Sequence, residues 1–405
     1  MTTANTFAAF QYPNFRRYFT GQLISFAGLW MHRVALGWFV YQLTGSEVWL
    51  GIIAFVSGFP SLVFSTYAGV LADRYSRRAI MMVSYAIEAV FAITLGLLTL
   101  ASGVSIGVVA VFALASGITT AFSEPTRQAF IRDIVDLQNL NSGIAVNAMM
   151  GTAASMIGPG MAGILLIAVG PGWCFVLNGL SFLAVIFSLW SISIAVPPRP
   201  TSRPSSWYDL REGLQYVRHH NAIFPLYLLA TTTSILGINM LVPLLPAFAA
   251  NVLDSPTVAY TFLNVALGLG SIVGSFLNVW IGIYFGRGKT VLMMSGVLPV
   301  VTFIFSRIGA IPGSTVTMVL LGFGYATFFI TTNILIQTQV PDELRGRVVS
   351  LWALLRFGLA PVAALGIGFL AQFLGLITTM VLLSAVAAVI CWLVITHAQN
   401  VLRGL

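Results

Sequence analysis

The sequence predicts an all-α integral membrane protein with twelve transmembrane helices in two pseudo-symmetric bundles of six. Charged residues make up only 7% of the 405 residues, against about 25% in an average soluble domain. Apolar residues make up 58%, and they occur in long runs that short polar connections separate. A water-soluble chain of this length could not cover its surface with so few charges, so we expect a lipid bilayer around it.

The apolar runs have the length of membrane-spanning helices, because about 20 helical residues cross the hydrocarbon core of a bilayer. Each run is too long for a strand, and glycine and proline recur inside the runs as they do in membrane helices. We place the spans at 17–43, 48–72, 79–100, 105–126, 140–167, 172–195, 222–250, 258–284, 290–307, 314–338, 348–372 and 377–397.

Basic residues are distributed unevenly between the two sides of the predicted bundle. Sixteen fall on the side of the N-terminus and only Arg307 on the other. Since positively charged loops stay in the cytoplasm, we expect both termini there. The sixteen are Arg16, Arg17, Arg74, Arg77, Arg78, Arg127, Arg132, Arg199, Arg203, Arg211, Arg218, Arg287, Lys289, Arg345, Arg347 and Arg403.

One long polar connection divides the chain almost in half. We expect an N-terminal six-helix bundle, a cytoplasmic linker and a C-terminal six-helix bundle, at 1–195, 196–221 and 222–405. Within the linker, 208–218 has the pattern of a short amphipathic helix on the membrane surface. Weak internal repeats support the division; for example, Gly28 recurs 209 positions later as Gly237. Parallel repeats of this kind place a substrate site between the halves, near the bilayer midplane.

Four charges lie together between the second and third spans, in the stretch GVLADRYSRR from Gly69 to Arg78. Arg74 and Arg77 can hold this loop in the cytoplasm. Gly69 and Asp73 suggest more, because a glycine allows a close helix contact and a carboxylate at the membrane edge can pair with an arginine or a helix N-terminus. Such contacts could latch the halves in one conformation and release them in another. The alternative is a loop that only sets the topology.

This stretch resembles the loop signature of the major facilitator superfamily, which lies between the second and third of twelve spans. The corresponding loop of the second half, Gly286 to Lys289, keeps basic residues but has no aspartate. The resemblance implies the major facilitator fold. It also implies a gating role for the loop residues Gly69, Asp73, Arg74, Arg77 and Arg78.

A second motif lies in the fifth span, where GPGMAG runs from Gly158 to Gly163. It resembles the antiporter signature of exporting members of the superfamily, although Ala162 stands where the signature has a glycine. Pro159 removes a backbone donor and bends a helix, and small neighbours permit the tight packing that we expect at the boundary between the halves. Ordinary small-residue packing of membrane helices is the alternative.

Three further segments resemble the branch of the superfamily that includes the enterobactin exporter and related drug-efflux proteins. They are NFRRYFTGQLIS at 14–25, ALGWFVYQLTGS at 35–46 and PTRQAF at 125–130. The resemblance implies a monomer of the bacterial inner membrane that exports small amphipathic compounds, siderophore-like or drug-like, by alternating access in exchange for protons. A metabolite importer, a lysophospholipid flippase and a non-transporting membrane sensor or assembly protein are the alternatives.

Ionisable residues inside a membrane span are costly and are therefore candidates for function. Glu88 lies near the middle of the third span and Glu124 near the cytoplasmic end of the fourth, so both are candidate proton carriers. Three residues separate Glu124 from Arg127, which puts the two on one helix face where they can pair. A buried packing or pairing role is the alternative for each carboxylate.

The resemblance also implies that spans one, four, seven and ten line a central substrate cavity. Charged groups on or beside these spans, and amide side chains within them, are therefore the candidate cavity groups, since both are disfavoured in lipid. The basic members are compatible with an acidic substrate. The candidates are Gln22, Arg33, Arg127, Asn239, Asn333 and Arg356.

The sequence argues against several other classes of protein. It has no phosphate-binding loop that would indicate direct use of ATP, no nucleophile elbow and no metal-type spacing of His and Cys residues. We therefore expect no enzymatic activity, no cofactor and no metal. The net charge of +8 is scattered between apolar runs instead of forming a basic stripe, so we do not expect nucleic acid as a partner.

Overall fold

The computed structural model describes residues 7–192 and 207–402, and every regular element within these ranges is a helix. Twelve helical segments of the described chain are long and apolar enough to cross a membrane, which confirms the predicted fold class and number of spans. The first six spans are α1 Pro13–Thr44, α2 Glu47–Arg74, α3 Arg77–Leu100, α4 Ile106–Ile134, α5 Leu140–Ala168 and α6 Pro171–Trp190.

The second half begins with a short helix and contains two spans that are interrupted. A first π-helical segment, Ser234–Ile238, joins α8 to α9, and a second π-helical segment, Leu354–Gly358, precedes α14. Each interrupted span is therefore one membrane crossing made of two α-helices. The bounds are α7 Trp207–His219, α8 Ile223–Thr233, α9 Asn239–Val252, α10 Pro256–Phe285, α11 Arg287–Arg307, α12 Ile311–Gln339, α13 Asp342–Ala353, α14 Ala360–Leu374 and α15 Leu376–Leu402.

The chain forms two compact units. Unit 1 consists of Met1–Leu43 and Val56–Pro204, and unit 2 of Thr44–Phe55 and Ser205–Leu405. The division into two bundles around a linker stays a prediction, and residues 196–206 of that linker lie outside the described chain. The helix expected at 208–218 is confirmed as α7.

Unit 1 places the three helices that carry its ionisable residues side by side. Helix α3 also packs closely against α6. A side chain on Gly96 would come within 2.8 Å of the backbone oxygen of Gly172. Small residues allow such contacts between membrane helices, where packing drives association. A buried core joins α1, α3, α4 and α6, and its larger members are Phe15, Tyr18, Tyr85, Phe130 and Phe182.

Unit 2 has a similarly close contact between α10 and α12. A side chain on Gly270 would come within 2.0 Å of the backbone oxygen of Val319, so only glycine fits there. The short helix α7 is tied to α13 by an ion pair, with 2.8 Å between Arg347 and the carboxylate of Glu212. Helix α13 therefore has a fixed contact with the polar segment that precedes the second set of spans.

The first turns of α2 pack against α14 and belong to unit 2. The hydroxyl of Ser46 donates a hydrogen bond of 3.0 Å to the side-chain oxygen of Gln372. A side chain on Gly368 would come within 2.6 Å of the backbone oxygen of Glu47. The rest of α2, from Val56, belongs to unit 1.

Candidate functional site

The buried carboxylate of Glu88 on α3 is surrounded by hydroxyl groups of α4. Its side chain is 6% exposed. The hydroxyl of Ser116 donates to its two oxygens at 3.2 and 2.9 Å, Thr120 donates at 3.4 Å, and Thr119 donates as well. These three residues, the hydroxyl cluster, lie on one face of α4 because residues three and four apart are neighbours on a helix.

A cavity of about 100 Å³ lies beside Glu88, between α1, α2, α3 and α4. Arg33, which is exposed on α1, lines this cavity with Glu88, so the structure brings a predicted proton carrier and a predicted cavity group together. The guanidinium of Arg33 also lies over the ring of Trp30, 5.0 Å from its centroid. The polar lining is completed by His32, Ser57, Ser116 and Thr120.

The second membrane carboxylate, Glu124, is paired with Arg127 on the same face of α4, which confirms the predicted local pairing. Nε of Arg127 donates to the carboxylate at 3.1 Å, and a terminal nitrogen donates to the other oxygen. The same arginine donates to Asn147 at 2.9 Å and lies over the ring of Phe26 at 4.6 Å. The side chain of Arg127 is 7% exposed and that of Glu124 is 45% exposed. The arginine of this pair is therefore buried, while the carboxylate reaches the surface.

Gln22 is completely buried inside unit 1. Its side-chain oxygen accepts a hydrogen bond of 3.2 Å from the hydroxyl of Tyr85, while its nitrogen is buried without a hydrogen bond in the described residues. The position of Gln22 favours a packing role in this conformation, and its assignment to the substrate cavity stays a prediction.

Arg77, in the loop that resembles the superfamily signature, is anchored on the end of α4. It donates to Asp133 at 3.0 Å and to the backbone oxygens of Ala129 and Ala72 at 3.0 and 3.2 Å. Asp133 was not among the predicted site residues. Its sequence signal is only its position three residues after the segment PTRQAF at 125–130. The contact with Arg77 joins positions that are far apart in the chain.

The other residues of this loop have different surroundings. Arg78 donates to the backbone oxygen of Trp190 at 2.8 Å, and Arg74 is exposed at the end of α2. The side chain of Asp73 lies outside the described part of the structure. A side chain on Gly69 would meet no described atom within 4 Å, and the close helix approach at this residue stays a prediction.

The glycine–proline motif of α5 packs against α1. A side chain on Gly158 would come within 2.4 Å of the Cβ atom of Trp30, and Pro159 lies inside the helix. Gly163 is buried. Since the nearest neighbours of Gly158 belong to unit 1, the expected packing between halves stays a prediction.

Two predicted cavity groups of unit 2 meet at the π segments. The hydroxyl of Ser234 donates to the backbone oxygen of Arg356 at 3.3 Å and accepts a hydrogen bond of 2.9 Å from the amide of Asn239. The guanidinium of Arg356 lies 4.2 Å from the centroid of the Phe329 ring, a cation–π distance. Asn333 is partly buried on α12.

These arrangements suit the binding and movement of charge rather than covalent chemistry. No group of three or more His, Cys, Asp or Glu side chains in the described chain could hold a metal ion. In unit 1, Glu88 lies among hydroxyls and Glu124 is paired with an arginine. Unit 2 holds an arginine against an aromatic ring.

The family follows from a match over nearly the whole chain. Residues 4–403 match the family described as transmembrane secretion effector, and the chain belongs to this family of major facilitator transporters. It is therefore a non-enzymatic, multi-pass transporter of the inner membrane, with a small molecule as its substrate and the lipid bilayer as its surroundings.

Individual relatives are distant but match along most of their length. The chain is 22% identical to the staphyloferrin A transporter of Staphylococcus aureus, over 89% of this chain and 90% of the relative. It is 26% identical to the multidrug efflux pump Tap of Mycolicibacterium fortuitum, over 87% of each. It is 25% identical to the enterobactin exporter EntS of Escherichia coli, over 84% and 81%.

Solved structures share the fold. The nucleoside transporter NupG aligns with a TM-score of 0.71 at 13% identity, over 95% of this chain and 99% of NupG. A POT family transporter in complex with 5-aminolevulinic acid aligns with a TM-score of 0.75 at 13% identity, over 96% of each chain. At such identities the similarity shows the major facilitator fold alone.

Proposed function

We propose that this transporter exports small amphipathic compounds, siderophore-like or drug-like, by alternating access in exchange for protons. The names of the relatives support export. The observation that carries the proton coupling is the buried Glu88 carboxylate with three hydroxyls within hydrogen-bond distance. A charge in a membrane span is costly unless it is paired or hydrated. A carboxylate in such a place is therefore a candidate for a functional role.

The hydroxyl cluster can accommodate Glu88 with or without a proton. When the carboxylate is ionised, the three hydroxyls donate to it. When it is protonated, the hydroxyl of Thr119 can turn to the backbone oxygens of Ala115 and Ser116, which lie 3.2 and 2.9 Å away. Both forms therefore have hydrogen-bond partners, which is what a site that loads and releases a proton requires.

Glu124 is the weaker candidate for the proton carrier. Its carboxylate accepts from Arg127 and, at 3.2 Å, from Gln128, and a proton on Glu124 would break the ion pair and leave a buried arginine without its counter-charge. We assign the proton to Glu88 and a structural role near the transport path to the pair of Glu124 and Arg127.

We further propose that the gating loop Gly69, Asp73, Arg74, Arg77 and Arg78 biases the conformational equilibrium. The anchor of Arg77 on Asp133 supports this role, because a loop that only sets topology needs no buried partner. Asp73→Asn should then slow transport and leave membrane insertion intact. Equal transport rates for this variant and the wild type would rule out a latching role for Asp73.

The remaining assignments are part of the same proposal. Gly158, Pro159 and Gly163 form an exporter-type bend in α5, the protein acts as a monomer, and both termini lie in the cytoplasm, as the distribution of basic residues favours. The substrate contacts come from the predicted cavity groups. These are Gln22, Arg33, Arg127, Asn239, Asn333 and Arg356.

The test is a flux assay in liposomes with internal pH recorded under an imposed proton gradient. The probes are a catecholate siderophore, ethidium and a lysophospholipid. Export in exchange for protons predicts proton movement that depends on the presence of one of the first two probes. Movement of a probe without any proton signal would rule out proton antiport. Movement of the lysophospholipid alone would favour a flippase.

A further inference from the structure

A groove of about 610 Å³ lies in unit 2, lined by the end of α10, the beginning of α11 and one side of α15. This volume falls within the range of about 300–1,000 Å³ that is usual for ligand sites. Among the described residues that line the groove, Lys289 is the single charged one, and most of the others are apolar. The lining consists of Phe285, Lys289, Thr290, Leu292, Met293 and Ile395. The groove therefore has room for a ligand with one charged end and an apolar body.

The wall of the groove changes from charged to apolar along α11. Lys289 is exposed in the first turn of this helix. Met293, which is 46% exposed, lies on the same helix face, because residues four apart are neighbours. At a rise of about 1.5 Å per residue, Met293 lies about 6 Å farther into the span. Tyr284, at the end of α10, is 75% exposed, and tyrosine is enriched at membrane–water interfaces. Lys289 therefore lies at the level of the lipid headgroups, and the apolar wall extends towards the acyl chains.

The three helices that form the groove carry positive charge without negative charge. The sequences of α10, α11 and α15 contain no aspartate or glutamate. Arg287 is a second exposed cation in the first turn of α11, and its Cγ atom lies 3.5 Å from the position of a Cβ atom on Gly282 of α10. Like charges so close in the chain repel each other, so this end of α11 attracts an anion from outside the three helices.

We propose that this groove is a binding site for an anionic phospholipid. The lipid phosphate lies against the ammonium group of Lys289, and one acyl chain lies along Phe285, Met293 and Ile395. Basic pockets between membrane helices bind acidic headgroups, and an ammonium group offers three donors to phosphate oxygens. A zwitterionic lipid fits the apolar wall equally well but brings a cation of its own, so the groove discriminates between lipids by charge. The site takes part in no step of the proposed proton antiport and does not depend on it.

The test uses purified full-length protein in detergent, with phosphatidylglycerol and phosphatidylcholine of identical acyl chains as the probes. Native mass spectrometry counts the lipid molecules that stay bound and gives the affinity for each lipid. We expect the first phosphatidylglycerol to bind about five-fold or more tightly than the first phosphatidylcholine, since one basic residue near an anionic headgroup contributes about this factor.

Lys289→Gln removes the charge and keeps a long side chain at an exposed position, so the fold should be retained. We expect the affinity for phosphatidylglycerol to fall about five-fold and the affinity for phosphatidylcholine to stay the same. Lys289→Arg should keep the preference for phosphatidylglycerol. Arg307→Gln removes an exposed charge from the other end of α11 and should match the wild type.

A chemical label shows where the lipid binds. Lys289 is the single lysine of the sequence, so an amine reagent modifies this side chain and the N-terminal amine alone. Phosphatidylglycerol should protect Lys289 from acetylation and leave the N-terminal amine reactive, as mass spectrometry of the peptides measures. Phosphatidylcholine should protect neither amine.

Equal affinities for the two lipids in the wild type, or an unchanged preference in Lys289→Gln, would overturn the proposal. Protection of Lys289 by a catecholate siderophore but not by phosphatidylglycerol would also overturn it and assign the groove to the transported substrate. Protection of Lys289 without lipid, in a dimeric protein, would assign the groove to a second copy of the chain instead. These measurements are independent of the flux assay in liposomes, so failure of the antiport leaves the lipid site unaffected.

Discussion

Unit 1 and unit 2 treat polar groups in their membrane spans differently. In unit 1 the helices α1, α3 and α4 are continuous, and the polar chemistry lies in side chains: Glu88 among hydroxyls and Glu124 paired with Arg127. In unit 2 the sequence has no Asp or Glu in 255–341 or 344–405. The irregularity of that unit lies instead in the backbone, where two π segments are joined through Ser234.

A pair of glycines that correspond in the predicted repeat illustrates the difference. Gly28 lies in the uninterrupted α1, where a side chain would come within 2.3 Å of the hydroxyl of Ser181. Gly237 lies in the first π segment, where a side chain would come within 2.7 Å of the hydroxyl of Tyr325. Both positions need glycine, but only the second lies in a π-helical backbone. π segments inside α-helices occur frequently at functional sites.

The comparison suggests a division of work. Unit 1 would bind and release the proton, and unit 2 would contribute a positive charge and a deformable backbone near the substrate. Each unit can therefore be altered separately, and the variants should differ in which property they lose.

Glu88→Gln should have the largest effect. It keeps the size of the side chain but removes its ionisable group, so we expect substrate-driven proton movement in liposomes to fall by about 100-fold or more. Arg356→Gln in unit 2 should lower the rate of substrate transport and leave the number of protons moved per substrate unchanged. If Glu88→Gln and Arg356→Gln lowered the number of protons moved per substrate by the same amount, the proposed division of roles between the two units would be wrong.

Asp133→Asn should have the next largest effect, on stability. The side chains of Arg77 and Asp133 are only 11% and 13% exposed. We expect a loss of about 2–3 kcal/mol in the free energy of unfolding, somewhat below the 3–5 kcal/mol typical of a broken buried pair, because Arg77 keeps its bonds to backbone oxygens. Denaturant unfolding of the purified protein measures it.

The matched control for this prediction is Asp136→Asn. Asp136 is exposed and accepts one hydrogen bond of 2.9 Å from Tyr12, so its loss should cost less than about 1 kcal/mol. Equal losses of unfolding free energy in the two variants would show that the ion pair of Arg77 and Asp133 adds no more stability than the exposed hydrogen bond of Asp136.

Glycine substitutions should separate tight from open helix contacts in each unit. In α14, Gly368→Ala puts a Cβ atom 2.6 Å from a backbone oxygen, while Gly366→Ala meets no atom of the described residues within 4 Å. Overpacking costs about 1–3 kcal/mol, whereas alanine in an open helical position stabilises by up to about 1 kcal/mol. Thermal unfolding should rank the two variants on opposite sides of the wild type.

The same experiment in unit 1 uses α5. Gly158→Ala places a Cβ atom 2.4 Å from that of Trp30, whereas Gly160→Ala meets nothing within 4 Å in the part of the chain that the structure describes. A destabilised Gly160→Ala variant, or an unaffected Gly158→Ala variant, would contradict the packing described for this helix.

Ser234→Ala should have the smallest effect. It removes the hydrogen bonds that link the π segments, at a cost of about 1 kcal/mol. Hydrogen exchange should become faster in both Ser234–Ile238 and Leu354–Gly358, since one hydroxyl connects them. Ser384→Ala, which removes an ordinary bond within α15, is the control. Faster exchange in only one segment would mean that the two are independent.

The sequence predicted the features that depend on local patterns. The twelve spans follow from hydropathy, and the pair of Glu124 and Arg127 follows from a spacing of three residues on one helix face. The spacing of Ser116, Thr119 and Thr120 is also visible in the sequence as a hydroxyl face of α4. Its role as the surroundings of a buried carboxylate could be inferred only from the structure, which places Glu88 of α3 opposite that face.

The features that were missed depend on contacts between distant positions or on backbone geometry. Asp133 joins Arg77 across 56 positions of the chain, which no local pattern reveals. A glycine lies in each π segment, Gly237 and Gly358, but glycines also lie inside the regular membrane helices of this chain, so they do not mark the π segments in the sequence. The close approach expected at Gly69 stays a prediction, because a glycine permits such a contact without requiring it.

The most direct test of the account separates substrate exchange from proton movement in Glu88→Gln. Liposomes that contain the variant are loaded with an identified substrate, and exchange with labelled substrate is measured at equal pH on both sides, followed by proton movement under a substrate gradient. If Glu88 carries the proton, exchange should be close to the wild-type rate and there should be no substrate-dependent proton movement. Proton movement at the wild-type ratio in this variant would contradict the claim that Glu88 carries the proton.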